Sequence, residues 1–196
     1  MPWRNRGTRA RLALYLGAPR LSLGKRSDGT PSYSAARHLI AAQCLEAKGA
    51  DCDVVDPQTV ASHHHNHAHF CGLEETTYAS TFCFEPGGDS PYRKGFYDAL
   101  LTGCIPVVFG VYAARAAPWF VDRDALVVLN ETAYLDGAFN AVDALRAIPA
   151  AEIDRKRKVI AATAHRAMYA RDDLRGDAVE TLLTGALAAA RRREAG

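Results

Sequence analysis

Apolar residues in this chain form short runs that alternate with longer amphipathic segments. The runs predict β-strands at residues 11–17, 52–55, 81–84, 105–109 and 125–129. Apolar residues at helical spacing predict helices at residues 33–48, 73–79, 91–102, 135–147, 151–169 and 178–190. Strands that alternate with helices predict an α/β fold: a Rossmann-like parallel sheet with helices on both faces, followed by a helical C-terminus.

The segment 80–110 has the most informative pattern, because it reads as strand, glycine loop, helix and strand. The two glycines of the loop 85–89 allow a ligand to approach the backbone closely. Ser90 and Pro91 predict the N-cap and first position of the helix, and Gly103 predicts its end. Parallel α/β sheets bind ligands beyond the carboxyl ends of their strands, so this loop is the expected place for chemistry.

The predicted start of this helix is suited to an anion, because free N–H groups and the helix dipole both favour negative charge there. Arg93 and Lys94 would be locally unfavourable in the first turn unless an anion is bound. A diphosphate is the natural candidate, since the planar arginine fork donates two hydrogen bonds to phosphate. The plainer alternative is an exposed ion pair between Lys94 and Asp98, which lie four residues apart.

Further residues around the loop have a functional and a structural interpretation. Asp98 lies about one and a half helical turns beyond Arg93. Its carboxylate either accepts hydrogen bonds from the diol of a ribose or pairs with Lys94. Asp89 either forms the turn or contacts the ligand. A second loop, residues 17–31, follows the first predicted strand and contains Gly17 and Arg20, so it faces the same region.

Composition narrows the class of protein. The chain has 196 residues, of which 48% are hydrophobic, enough for one domain with a full core or for one half of a two-domain enzyme. The net charge of +2 is too small to argue for nucleic acid. The arginines crowded at both ends, and the basic run 155–158, are expected to be solvated. No stretch approaches the roughly 20 apolar residues of a membrane span, and no signal peptide is recognised.

Cysteines and histidines give weaker signals. The five cysteines have irregular spacing and predict no disulfide pairing, and Cys83 and Cys104 are expected to act as small apolar residues in buried strands. The cluster His63 to His69 is either a flexible polar loop or a site for zinc, copper or nickel. The chain lacks the zinc-protease and deaminase patterns of histidine, glutamate and cysteine.

The stretch GDSPYRKGFYDALLTGCIPVVF, residues 88–109, resembles the exostosin family of glycosyltransferases, and most of all its plant and algal xyloglucan-galactosyltransferase-like branch. Weaker similarity extends over roughly residues 9 to 170 and includes a helix with Arg37. The resemblance implies the C-terminal, donor-binding domain of a GT-B architecture. The implied division is a flexible basic arm at 1–8, an exostosin-like nucleotide-sugar-binding domain at 9–170, and a C-terminal helix with a basic tail at 171–196.

The resemblance also implies a function: transfer of a sugar from a nucleotide diphosphate sugar to a glycan or glycoprotein hydroxyl, with inversion and without a bound metal or other cofactor. Many retaining GT-B enzymes have a glutamate eight residues before the ribose carboxylate, where this chain has Ser90. The diphosphate is assigned to Gly88, Ser90, Arg93 and Lys94, the ribose to Asp98, and further donor contacts to Gly17, Arg20 and Asp89. Catalytic residues are not assigned.

The expected partners are a nucleotide-sugar donor and a glycan acceptor, with no nucleic acid, and with a membrane only through a segment absent from this chain. The family resemblance implies the Golgi lumen. Two alternatives stay open: a truncated nucleotide-binding module without catalysis, and a metal-binding protein that uses the His63–His69 cluster.

Overall fold

The structure is a computed structural model that describes residues 2–4, 7–18, 33–47, 51–56, 75–87, 93–110, 119–170 and 175–194. In this part of the chain, five strands form one parallel sheet: β1 (Arg11–Leu16), β2 (Cys52–Val55), β3 (Ser80–Glu85), β4 (Ile105–Phe109) and β5 (Val127–Leu129). Their order is β2-β1-β3-β4-β5. This arrangement confirms the predicted parallel α/β fold.

Helices are found in every predicted region, but those predicted at 91–102, 135–147 and 151–169 differ from the prediction in their bounds. The helices are α1 (Tyr33–Ala47), α2 (Lys94–Thr102), α3 (Glu131–Leu135), α4 (Ala141–Arg146), α5 (Ala150–Thr163) and α6 (Ala178–Glu194). A helical turn at residues 75–79 precedes β3. Short 3-10 helices are found at Pro2–Arg4, Arg123–Ala125 and Ala164–Ala167. The single helix predicted at 135–147 is wrong, because α3 ends at Leu135 and α4 begins only at Ala141.

The hydrophobic core is built on the central strands. Every residue of β4 is buried, as expected of a parallel strand that is covered on both faces. Phe82 and Phe84 of β3 are at most 1% exposed, and Phe84 lies beside Phe109 with 6.4 Å between ring centroids. The apolar runs of the sequence therefore correspond to the interior of the sheet.

The amino-terminal segment packs on the body through two side chains. Trp3 is 4% exposed and belongs to the core. The Arg9 guanidinium donates hydrogen bonds to the carbonyl oxygens of Thr77, Ser80 and Thr102, at 3.0, 2.9 and 2.8 Å. Burial, with a smaller contribution from nearby Arg157, lowers the pKa of Arg9 to about 10. The expectation that the first arginines are all solvated is therefore wrong for Arg9, because it satisfies three carbonyl groups.

The basic run of α5 is likewise not a uniformly solvated face. Lys156 and Arg157 are only 8% and 7% exposed. Lys156 Nζ donates to the carbonyl oxygen of Leu126 at 2.7 Å, and Arg157 donates to that of Gly7 at 3.1 Å. Arg155 does stay at the surface, where it pairs with Glu152. Two of these cations therefore join α5 to neighbouring segments.

Four of the five cysteines form disulfides, which corrects the expectation that Cys83 and Cys104 act as plain apolar residues. One bond joins Cys44 of α1 to Cys52 of β2, and the other joins Cys83 of β3 to Cys104, which precedes β4. The spacing in the sequence did not predict these pairs, because the partners meet only when the sheet assembles. Within the described ranges, no helix is long and apolar enough to cross a membrane.

Candidate functional site

The strand order creates a crevice between β1 and β3. After β1 the chain turns to one side of the sheet to form β2, and from β3 onward it builds to the other side. Connections leave the carboxyl ends of β1 and β3 in opposite directions, which opens a space where ligands of α/β proteins bind. The loop that was predicted to hold the ligand begins at the end of β3, on the edge of this crevice.

Arg37 of α1 fixes the beginning of that loop. Its Nε and Nη2 both donate to the carbonyl oxygen of Gly87, at 3.0 and 2.6 Å. Gly87 has a positive φ of 76°, a conformation that glycine adopts without steric cost. Arg37 is only 8% exposed, so this two-pronged contact is held inside the protein. The loop after β3 is therefore joined to the helix that follows β1, across the crevice.

Helix α2 begins later than the sequence predicted. Arg93 is the N-cap, with an extended φ of −128°, and its side chain makes no capping hydrogen bond. The first helical residue is Lys94 rather than Pro91, and the predicted cap Ser90 and Pro91 themselves lie outside the described residues. The predicted end is confirmed, since Gly103 adopts a left-handed conformation with φ of 72°. Arg93 and Lys94 are thus at the start of the helix, as expected of cations that would meet an anion there.

Lys94 and Asp98 form the ion pair of the plainer interpretation. Lys94 Nζ lies 2.6 Å from Asp98 Oδ2, and the two side chains are 82% and 40% exposed. An exposed pair of this kind stabilises a helix by only a few tenths of a kcal/mol. Both groups therefore remain accessible to a ligand, and the ribose role of Asp98 stays a prediction.

Glu85, at the end of β3, is a site residue that the sequence interpretation missed. Its carboxylate lies against the first turn of α2, where a β-carbon on Gly95 would be 3.1 Å from Oε1 and 3.2 Å from Oε2. Burial raises the pKa of Glu85 to about 8; Arg93 and Arg37 oppose this rise, and Asp98 adds to it. A carboxyl group with a raised pKa therefore lies where a bound anion would come close.

Tyr15 and Gly17 form the β1 side of the crevice. The Tyr15 side chain is fully buried, and its hydroxyl donates to the carbonyl oxygen of Ala18 at 3.3 Å. A β-carbon on Gly17 would be 3.0 Å from that hydroxyl, so a larger residue there would displace the tyrosine. Burial raises the pKa of Tyr15, while the charges of Arg37 and Arg93 lower it. Charges from α1 and α2 therefore converge on the end of β1.

Five ionisable side chains interact electrostatically near the carboxyl ends of β1 and β3: Tyr15, Arg37, Glu85, Arg93 and Asp98. Arg37 and Arg93 act on Glu85 and on Tyr15 alike, and Asp98 acts on Glu85. The result is a cationic first turn of α2 with one half-buried acid beneath it, which favours an anion most when Glu85 is protonated. Chemically, the arrangement can hold a phosphate group and stabilise negative charge that develops on it.

Several predicted contacts lie outside the described residues: Arg20, Gly88, Asp89, Ser90 and the cluster His63 to His69. Of the predicted site residues within the described ranges, Gly17, Arg93, Lys94 and Asp98 surround the same crevice. Two cavities, of about 310 and 360 Å³, lie elsewhere, beside Trp119 and α6 and beside Arg4 and Lys158. The crevice is therefore identified by topology and charge rather than by an enclosed volume.

Arg37 and Glu85 each stand out in the sequence. Arg37 lies in the helix that resembles the exostosin family, and in the structure this cation holds a loop carbonyl group. Glu85 ends an apolar run, immediately before Pro86 and two glycines. An acid in that position is a departure from the apolar pattern, and such departures often mark functional sites.

Comparison with known proteins identifies the family to which this chain is similar. The family model described as Exostosin GT47 domain matches residues 8–128, more than half of the chain. Probable xyloglucan galactosyltransferase GT19 of Arabidopsis thaliana is 29% identical over 183 residues, which cover 85% of this chain and 41% of that relative. Xyloglucan-specific galacturonosyltransferase 1 of the same plant is 57% identical over 35 residues, 18% of this chain and 5% of that relative.

A third relative, Probable xyloglucan galactosyltransferase GT13 of Arabidopsis thaliana, is 33% identical over 98 residues, 45% of this chain and 18% of that relative. The matched regions thus cover at most 41% of the length of these three relatives. The matched region, residues 8–128, contains β1 to β4 and both sides of the crevice. This chain belongs to the exostosin GT47 family.

Proposed function

We propose that the crevice binds the diphosphate of a nucleotide-sugar donor, and that the chain is the donor-binding part of a glycosyltransferase. The observation that supports this most directly is the position of Arg93 and Lys94 at the first turn of α2, on the edge of the β1–β3 crevice. Arg93 would take the diphosphate with Gly88, Ser90 and Lys94, and Asp98 would take the ribose. Gly17, Arg20 and Asp89 would contribute the remaining donor contacts.

In the proposed reaction a glycan hydroxyl attacks the anomeric carbon of the sugar, and the nucleoside diphosphate leaves. Negative charge grows on the leaving diphosphate, and the N–H groups at the start of α2 and the Arg93 guanidinium would stabilise it. We propose that this stabilisation replaces a bound metal ion and that the reaction inverts the sugar. The relatives' names support a xyloglucan-like acceptor and a galactose-type donor, both proposals for this chain.

The proposed compartment is the Golgi lumen. Two disulfides among the described cysteines support it, because such bonds persist in the oxidising secretory pathway and are rare in the cytosol. Two other functions remain as alternatives: nucleotide binding without transfer, and metal binding through the cluster His63 to His69.

Isothermal titration of the purified chain with UDP and with UDP-galactose tests the donor site. We expect wild type to bind, and Arg93→Ala to weaken binding by about tenfold or more, since a charge-assisted contact to phosphate is lost. Arg123→Ala is the matched control, because Arg123 is an exposed arginine in the 3-10 helix before β5. A folded wild-type chain that binds neither ligand would refute the proposal.

Two further arms separate the alternatives. Binding of UDP that is unchanged by a chelator supports a metal-independent site, and loss of binding contradicts that part of the proposal. Release of UDP from UDP-galactose together with a xyloglucan oligosaccharide that has gained one galactose would show transfer, whereas binding without release would favour the non-catalytic module.

A further inference from the structure

Helix α6 exposes its large apolar side chains to solvent. Four of its residues are between 46% and 62% exposed: Val179, Leu182, Leu183 and Leu187. Among the residues that the structure describes, only two other large apolar side chains are comparably exposed, Leu45 and Tyr169. Scattered surface leucines are ordinary, but a concentration on one helix marks an interaction surface.

The side of α6 that faces the protein is made of small residues. Ala178 is 6% exposed, and Gly185 is so close to Trp119 that a β-carbon there would lie 2.4 Å from the indole ring. The usual pattern places large apolar residues inside and polar residues outside. In α6 the large apolar residues are exposed, so within the described part of the chain their side of the helix is not covered.

The charged residues that flank the leucines have an arrangement that suits a second copy of the same helix. Glu180 and Arg191 are eleven residues apart, about three turns, so they lie on the same flank of the helix. When two copies of a helix pack antiparallel around a two-fold axis, each flank meets the same flank of the other copy. Glu180 of one copy then lies opposite Arg191 of the second copy, and the same pair is repeated at the other end.

We propose that α6 is a homodimer interface in which two copies of this chain pack the exposed sides of their α6 helices against each other, antiparallel. Along the helix, the two-fold axis passes at the level of Gly185. In this register Leu183 of one copy packs against Leu187 of the other, twice, and the Glu180–Arg191 pairs close both ends. The contact surface is self-complementary, as a two-fold interface requires. The helix is only about 25 Å long, so its contact area is below the roughly 800 Å² per partner of stable complexes, and the dimer is reversible.

Sedimentation equilibrium of the full chain over a range of concentrations tests the dimer. We expect a mass that rises from 21.2 kDa toward twice that value with concentration. Leu183→Glu should weaken the dimer at least tenfold. Leu45→Glu is the matched control, because Leu45 is 65% exposed on α1 and should leave the dimer within twofold of wild type. A chain that stays monomeric up to about 100 μM, beyond the micromolar range of weak dimers, overturns the proposal.

A charge-exchange experiment tests the register without depending on the fold of any one variant. Glu180→Arg and Arg191→Glu each place like charges opposite one another in their own homodimers, so each should dimerise at least fivefold more weakly than wild type. In a mixture of the two variants both flanking pairs are again of opposite charge, and a heterodimer should form with close to wild-type affinity.

Glu180 also accepts a hydrogen bond from the Gly176 backbone N–H. The Glu180→Arg variant lacks this bond both by itself and when it is mixed with Arg191→Glu. Rescue on mixing can therefore come only from the pairing between copies. Absence of rescue would refute the antiparallel register. Flotation of monomeric wild type with vesicles of phosphatidylcholine and phosphatidylserine, abolished by Leu183→Glu, would assign the face to a lipid surface and overturn the dimer.

Discussion

At the scale of single residues, the acid beneath the first turn of α2 is the least expected feature. A carboxyl group costs little to bury while it is protonated, but ionisation in the same place is opposed by desolvation. Arg37 and Arg93 reduce this cost without removing it, since the pKa of Glu85 remains near 8. The sequence showed that an acid precedes Pro86 and Gly87, but its burial depends on how α2 packs across the end of β3.

Replacement of Glu85 by glutamine tests this burial. The pKa of this carboxyl is about 8 in the folded state and near its ordinary value in the unfolded state, so the folded protein binds the extra proton between about pH 4.5 and 8. Stability from this group is full below that range and falls by a few kcal/mol as the pH rises through it. We expect the free energy of unfolding of Glu85→Gln, measured with urea from pH 5 to 9, to decrease much less with pH than that of wild type.

Glu46→Gln provides the comparison for this prediction, because Glu46 is exposed near the end of α1. It should follow the wild-type profile. A Glu85→Gln profile that runs parallel to wild type across the whole range would contradict the burial of the acid.

At the scale of secondary-structure elements, local signals succeeded where apolar spacing and a stop residue agreed. Gly103 marked the end of α2, and the run 105–109 gave β4 with the predicted bounds. The failure at 135–147 has a physical cause. Apolar spacing continues through this stretch, but Gly137 has a φ of 77° and Asn140 caps a new helix. Capping and glycine geometry therefore overrode the apolar spacing.

The Asn140 cap supplies an element-scale prediction. Its side-chain oxygen accepts hydrogen bonds from the backbone N–H groups of Val142 and Asp143, at 2.8 and 3.2 Å. Asn140→Ala should lower the free energy of unfolding by about 1 kcal/mol, while Asn140→Asp, which keeps the acceptor, should stay near wild type. Equal losses in both variants would show that the cap is not the cause.

At the scale of the whole molecule, fold class followed from the alternation of strands and helices, whereas its long-range ties did not. Arg37 meets Gly87 across 50 residues, and Arg9 meets Thr102 across 93. Such contacts depend on which strands become neighbours in the sheet, and the spacing of residues in the sequence does not indicate this strand order. The same holds for the site. The position of Arg93, Lys94 and Asp98 after a glycine loop predicts their role, whereas the contact of Arg37 of α1 with this loop is evident only in the assembled sheet.

The bond between Cys83 and Cys104 supplies a prediction at this scale. It closes a separation of 21 residues between neighbouring strands, for which chain entropy gives a stabilisation of about 3 kcal/mol. The double variant Cys83→Ala, Cys104→Ala should lose about that much in urea unfolding without reductant.

Titration of thiols in the oxidised, denatured wild type gives an independent measure. Four of the five cysteines are paired, so at most one thiol should react. Three or more reactive thiols would show that at least one of the two bonds is absent.

The two cross-links also bear on how the chain acquires its fold during synthesis. The cysteines that pair are 8 and 21 residues apart, so each bond joins segments that are made within a short interval of one another. Closing a loop of this length is fast compared with the synthesis of the chain. Both bonds can therefore form before the helical third of the chain emerges. One bond would then tie α1 to β2, and the other would tie β3 to the start of β4, while α5 and α6 are still being added.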